Sequence, residues 1–250
     1  MHRPRRRRDL GSSFTFGGRL PGAVGFVLVL IGVVTLGSWM APDRGAWAFL
    51  RSGAILGGEL WRLVAYPLVQ EEPTALVFGA LAIWFFGPWL AIQYGERWFL
   101  GYLLLVTVGS ALVTHALGAV FGVGFAFVGV WPLVDAVVLL WALQNQHQRV
   151  LLMFVLPVSG RILAIITVAL NVLWALWGMS RDGLAGLLHF MPPLASLGIA
   201  YVVHRGGIRL PLRRWRLGLR EWNMERQLRR RSKHLHVVGK AGQRGKQWMN

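Results

Sequence analysis

Cysteine and charge are the two scarce components of this chain of 250 residues. The complete absence of cysteine excludes disulfide bonds, thiolate metal sites and a cysteine nucleophile. Only 15% of the residues are charged, whereas soluble domains carry about a quarter. Since 55% of the residues are hydrophobic, the composition points away from a water-soluble globule.

The net charge is nevertheless +17, because the basic residues are gathered at the two ends. Of the 27 Lys and Arg residues, six lie within 1–20 and fourteen within 205–250. A hydrophobic body between cationic ends is typical of a membrane protein. Nucleic-acid binding is disfavoured, because no base-reading motif accompanies the charge. We therefore expect a basic arm at 1–20, a membrane domain at 21–204 and a basic tail at 205–250.

Six apolar segments indicate an all-α, polytopic membrane protein. A helix needs about 20 apolar residues to cross the hydrocarbon core of a bilayer. The first segment could instead be a signal sequence, since RPRRRR precedes it, but its length and the lack of a clear cleavage site favour an anchor. The predicted spans are 21–41, 73–93, 99–121, 123–144, 162–177 and 184–204.

The segments between and beyond the spans carry further predictions. Residues 42–72 are too polar to span and too apolar for a plain loop, which predicts an interfacial or membrane-embedded structure. Residues 150–156 are read as a buried or interfacial segment. An even number of spans puts both basic ends on one side, and the positive-inside rule makes that side the cytoplasm, at the inner membrane if the source is bacterial.

The tail at 205–250 has the pattern of a surface helix. Leu212, Trp215, Leu219 and Trp222 recur at three- and four-residue steps among many arginines, which makes a narrow apolar stripe. Such helices bind anionic lipid, so anionic lipid is the predicted partner of the tail. The alternative is a topology signal without a partner.

Several motifs resemble the rhomboid family of intramembrane serine proteases. Trp61-Arg62 resembles the Trp-Arg pair of that family's first loop, and LAIWFFG at 81–87 resembles the end of its second span. Gly95, Arg97 and Phe99 resemble its turn into the third span. The similarity continues through 101–113 and returns at 150–165. The resemblance implies a six-helix bundle, a Ser–His dyad, oxyanion donors on the second span and no cofactor.

The positions that should carry this chemistry are degenerate. Trp131 occupies the serine position of the Gly-x-Ser-Gly motif that begins at Gly129, and no Ser, Thr or Cys occurs from 123 to 143. His189 matches the general base. The donor positions of the second span fall at Gln70, Ala75 and Gly79. Because a serine needs both an adjacent base and preorganised donors, this pattern predicts a non-proteolytic relative.

Polar residues within the spans raise two further hypotheses. An acid in a span normally faces a partner, and Asp135 lies one turn after Trp131, so we expect Asp135 to pair with His189. His115 is a second buried candidate, although the spacing of these three residues matches no metal motif. We also expect the Trp131-Pro132 pair to kink the fourth span and to plug the former active-site cavity.

Three functions remain open from the sequence. The favoured one is a pseudoprotease that binds transmembrane segments of client proteins in a lateral groove between the second and fifth spans. The second is an active intramembrane serine protease. The third is a small ion or proton-coupled transporter, with Asp135 and His189 along the path.

Overall fold

The computed structural model describes residues 20–41, 43, 45–55, 57–152 and 156–206. The basic arm and nearly all of the basic tail, including the predicted surface helix, lie outside the described residues. The described part contains seven α-helices, two 3₁₀ turns (Ala46–Ala48 and Tyr66–Leu68) and four short strands. The helices are α1 Gly22–Met40, α2 Arg62–Ala65, α3 Pro73–Tyr94, α4 Glu96–Phe121, α5 Trp131–Gln144, α6 Gly160–His189 and α7 Met191–His204. The strands are β1 Leu50–Arg51, β2 Ala126–Phe127, β3 Arg149–Leu152 and β4 Leu156–Ser159.

The predicted all-α membrane bundle is confirmed. Four helices, α1, α3, α4 and α6, are long and apolar enough to cross a membrane, and α5 and α7 are shorter apolar helices. The first three predicted spans agree closely with α1, α3 and α4. The N-terminus of α1 is held by α4, since the Glu96 carboxylate accepts hydrogen bonds from the backbone N–H groups of Gly22 (3.3 Å) and Ala23 (3.1 Å).

The fourth predicted span is wrong at its start. The helix begins at Trp131 instead of at residue 123, and Pro132 lies in its first turn, where proline leaves no hydrogen bond unmade. The expected kink at Trp131-Pro132 is therefore absent from α5. Residues 123–130 run as an extended loop whose strand β2 pairs with β1, placing Leu50 opposite Phe127 and Arg51 opposite Ala126.

The sixth predicted span, 184–204, is not one helix but is shared between the end of α6 and α7. Gly183 has a φ of +60° and a ψ of −137°, which breaks α6 into two helical pieces and suits glycine alone. The second piece ends at His189, and α7 begins at Met191 ahead of Pro192. His189 thus belongs to the short helical piece that follows Gly183 and not to α7.

The 150–156 segment, predicted as buried or interfacial, contributes to an antiparallel hairpin of β3 and β4. This hairpin and the β1–β2 ribbon are the two small sheets of the described residues. Neither sheet could be recognised from apolar periodicity, because each strand is only two to four residues long.

Helix α5 lies at the centre of the bundle. Eleven of its fourteen residues are buried, and it packs against α3, α4, α6 and α7. At 1.5 Å per residue its length is about 21 Å, less than the ~30 Å of a bilayer core. Helix α5 alone is therefore shorter than a bilayer core, and the non-helical residues 122–130 lead into it.

Arg62 holds together the segment between α1 and α3. Its side chain is only 8% exposed and forms an ion pair with Glu59. Its Nη1 donates to the carbonyl oxygens of Ala46 at 2.7 Å and Phe49 at 2.9 Å. One guanidinium thus satisfies three acceptors on a stretch of chain that has little regular structure of its own, whereas Trp61 beside it is 53% exposed.

We expect Arg62→Lys to destabilise the protein although it keeps the charge. A single ammonium group cannot reproduce the planar fork that reaches Glu59 and two carbonyls, so about 2 kcal/mol of stability should be lost. Thermal unfolding in detergent, followed by tryptophan fluorescence, measures the effect. Arg97→Lys, at an exposed position of α4, is the control and should leave the unfolding temperature unchanged. Equal unfolding temperatures for both variants would contradict this role of Arg62.

Candidate functional site

Several of the positions predicted to form a catalytic centre lie at the loop that enters α5. Gly129 adopts a φ of +133°, a region that side chains other than glycine rarely enter. Its N–H donates to the carbonyl of Tyr66 at 3.0 Å. The next N–H, that of Val130, donates to Oε1 of Gln70 at 2.9 Å. The two backbone donors just before Trp131 are therefore both committed to the segment that precedes α3.

Gln70 is the residue that closes this loop. It is 1% exposed, and its Oε1, its Nε2 and its backbone carbonyl each form a hydrogen bond within the fold. Beyond the bond from Val130, its Nε2 donates to the carbonyl of Pro67 at 3.0 Å. Its own carbonyl accepts from Nε1 of Trp39 on α1 at 2.7 Å. Gln70 thus joins α1, the segment before α3 and the loop before α5.

Gly79 makes room for the same loop. A Cβ atom at Gly79 would lie 2.3 Å from Cγ1 of Val130, closer than any real contact. The Val130 side chain, 1% exposed, therefore fills the space that a larger residue on α3 would need. Ala75 lies one turn earlier on α3 and is half-buried. Of the three predicted donor positions, Gln70 contacts the loop through a hydrogen bond and Gly79 contacts it through packing.

Trp131 does not plug a cavity, contrary to the prediction. Its side chain is 42% exposed at the first position of α5. The interior at this point is filled by Val130 and Gln70 instead. Trp131, at the predicted nucleophile position, consequently points out of the core, whereas Val130 before it points into the core.

His189 and His115 bracket the β1–β2 ribbon. Nδ1 of His189 donates to the carbonyl of Ala126 at 2.7 Å, and Nε2 of His115 lies 2.9 Å from the carbonyl of Arg51. Arg51 and Ala126 are opposite each other in the ribbon, so the two histidines bind the two members of one cross-strand pair. Carbonyls on the outer edges of a two-stranded ribbon have no strand partner, and these side chains supply one.

The predicted burial of His189 is wrong, and that of His115 is only partial. His189 is exposed and His115 is half-buried. The ring of His189 lies edge-on to Phe127 with centroids 5.6 Å apart, and that of His115 lies edge-on to Phe125 at 5.0 Å. Among the described residues, no Ser, Thr or Tyr hydroxyl is hydrogen-bonded to His189.

Asp135 and His189 are not brought together as an ion pair within the described residues. Asp135 is buried on α5, and its side chain hydrogen-bonds with that of Asn171 on α6. Asn171 also donates from Nδ2 to the carbonyl of Thr167 at 3.0 Å. The polar pair in the bundle is thus Asp135–Asn171, which links α5 to α6.

The Rhomboid domain family matches residues 57–208, more than half of the chain. This chain belongs to the rhomboid family. It is an integral membrane protein of helical architecture, and the predicted membership of the rhomboid family is confirmed. A comparison with curated proteins finds no match.

Three features of this rhomboid site were not foreseen from the sequence. Asn171 is a polar residue in an apolar span, which is itself a signal of an inter-helix bond. Tyr66 had no such signal: it is fully buried, and its hydroxyl hydrogen-bonds with Ser110 (2.9 Å) and Thr107 (3.2 Å) on α4. The binding of Val130 by Gln70 depends on two segments that meet only in the folded chain.

Metal binding finds no support in the part of the chain that the structure describes, where no three His, Asp or Glu side chains are grouped as ligands would be. His115, Asp135 and His189 each have a different protein partner.

We expect Gly79→Ala to destabilise the protein by about 1–3 kcal/mol, because the new Cβ overlaps Cγ1 of Val130. Val130→Ala removes that Cγ1 atom. The Cβ atoms at positions 79 and 130 would then be 3.5 Å apart, which is an ordinary van der Waals contact. The double variant should therefore lose less stability than the sum of the two single variants. Thermal unfolding in detergent measures all three.

Gly37→Ala on α1 is the matched control for this cycle, since no atom lies within 4 Å of a Cβ built there. It should not lower the unfolding temperature. Strictly additive losses in the double variant would show that Gly79 and Val130 do not contact each other as described.

Proposed function

We propose that this rhomboid-family protein binds transmembrane segments of other proteins without cleaving them. The observation that carries the proposal is the state of the loop at 129–131. A tryptophan stands at the nucleophile position, and the two N–H groups before it are bonded to Tyr66 and Gln70.

The chemistry of acyl transfer gives this observation its weight. A serine hydroxyl attacks a peptide only when an imidazole accepts its proton, and a developing oxyanion needs aligned donors. An indole offers no nucleophile. Ala75 and Gly79 have no side-chain donor, and the Gln70 amide already donates to Pro67. Retention of His189 has a separate explanation in its bond to the β1–β2 ribbon.

The proposed client-binding surface lies between α3 and α6. Helix α3 packs against α1, α4 and α5, whereas α6 packs against α5 and α7, so that α5 stands between the two. Both helices expose large apolar side chains, such as Leu81 on α3 and Leu170 on α6. A client helix entering from the lipid would replace lipid contacts with packing against these faces, which is the usual basis of helix association in membranes.

The orientation belongs to the same proposal. Both basic ends face the cytoplasm, and the tail binds anionic lipid there. The loop at 129–131 then faces the side of the membrane opposite to the cytoplasm. The transporter alternative receives less support, because Asp135 and His189 have separate partners instead of lining one path.

We expect no labelling of the purified protein by a fluorophosphonate probe that reacts with activated serines. The reason is that no described serine is hydrogen-bonded to His189. An active rhomboid protease in the same detergent is the positive control. Labelling that disappears in His189→Ala would contradict the proposal and favour the active protease.

We expect photo-crosslinking from the proposed surface to capture transmembrane segments. A photoreactive amino acid at Leu81 or at Leu170 should recover membrane proteins from cells, because both side chains are exposed toward the bilayer. The matched control is Val29 on α1, which is 65% exposed but lies outside this surface. Recovery of the same proteins in the same amounts from all three positions would contradict a client site between α3 and α6.

A further inference from the structure

An open apolar groove runs along the face formed by α5, α6 and α7. Its volume is about 840 Å³, within the range of ligand pockets. Its walls are made by Leu139 and Leu143 on α5, by α6 from Ala164 to Leu176, and by Leu197 and Tyr201 on α7. The hydroxyl of Tyr201 is the one polar side-chain group among these lining residues. This face is separate from the proposed client surface, because it lies on the α7 side of α6.

The length of the groove matches one leaflet of a bilayer. The twelve-residue step from Ala164 to Leu176 spans about 18 Å at 1.5 Å per residue. Half of a ~30 Å hydrocarbon core is about 15 Å. A single acyl chain of one leaflet therefore fits along α6, whereas a transmembrane helix would extend well beyond the groove.

One end of the groove is cationic. Arg161 precedes Ala164 and Ile165 by three and four residues, which places it on the same face of α6. Arg205 ends α7 with its guanidinium over the ring of Tyr201, 5.2 Å from the centroid. Both arginines are exposed, and neither forms an ion pair with another described residue. Because α6 and α7 are antiparallel neighbours, the start of one and the end of the other lie at the same membrane surface.

From this combination we infer that the α5–α6–α7 groove is a binding site for an anionic glycerophospholipid. One acyl chain lies along α6 between Ala164 and Leu176. The phosphate group lies at the cationic end beside Arg161 and Arg205, where guanidinium groups bind phosphate oxygens in a bidentate manner. The site differs from the predicted surface helix of the tail, since Arg205 directly follows α7 and the other residues of the site lie on α5, α6 and α7.

Native mass spectrometry of the full-length protein tests this inference. The protein is purified in detergent and supplied with equal amounts of phosphatidylglycerol and phosphatidylcholine that carry the same acyl chains. We expect wild type to retain phosphatidylglycerol preferentially. Arg161→Gln and Arg205→Gln should each reduce that preference about fivefold, as expected for the loss of one interfacial cation.

A second variant tests the acyl-chain part of the site. Gly198 lines the groove, and a Cβ built there meets no atom within 4 Å, so Gly198→Leu should place its side chain in the groove without disturbing the helix packing. It should reduce retention of both lipids. The matched controls are Gly37→Leu on α1, where a Cβ also meets nothing, and Arg97→Gln, an exposed arginine outside the groove. Both should behave like wild type.

A measurement on unmodified protein keeps the inference falsifiable if a variant fails to fold. Phosphatidylglycerol with a photoreactive diazirine in its acyl chain should label mainly the peptides that contain Ala164–Leu176 and Leu197–Tyr201. Uniform labelling of all lipid-facing helices, or equal retention of the two lipids by wild type, would overturn the inference. So would an Arg97→Gln variant that loses as much preference as Arg161→Gln, because that result indicates charge attraction without a site.

Discussion

Backbone that leaves helical geometry inside a bilayer has no water to satisfy its polar groups, and this constraint governs the structure of the protein. Two segments contain backbone outside the long helices, the stretch between α1 and α3 and the loop that enters α5. Polar groups of one segment form hydrogen bonds with polar groups of the other. Strand β1 pairs with β2, Gln70 accepts from Val130, and the carbonyl of Tyr66 accepts from Gly129. Arg62 binds the carbonyls of Ala46 and Phe49.

This mutual satisfaction explains why the degenerate positions still form a coherent centre. Two residues at the predicted oxyanion-donor positions, Gln70 and Gly79, are fixed by hydrogen bonds or packing of their own. Gln70 and Gly79 are fitted to Val130, and the two histidines are fitted to one cross-strand pair of the ribbon. None of these contacts depends on a catalytic dyad, which is consistent with the proposed role in binding other membrane segments.

Much of the architecture follows from the sequence because hydrophobic length is a local property. The bounds of α1, α3 and α4 could be read from apolar runs, whereas the even number of spans inferred from the charge at the ends stays a prediction. The sequence prediction starts α5 too early because it treats Trp131-Pro132 as a mid-span kink, whereas proline is also favoured in the first turn of a helix. The separate partners of Asp135 and His189 depend on how helices meet, so the pair predicted between them did not follow from spacing.

The central claim is that the rhomboid scaffold binds a transmembrane segment and leaves it intact. The most direct measurement is a cleavage assay in proteoliposomes with a client identified by photo-crosslinking, followed by mass spectrometry of the client. The account predicts that the client is bound and recovered at full length. Specific cleavage products that disappear in His189→Ala would contradict it.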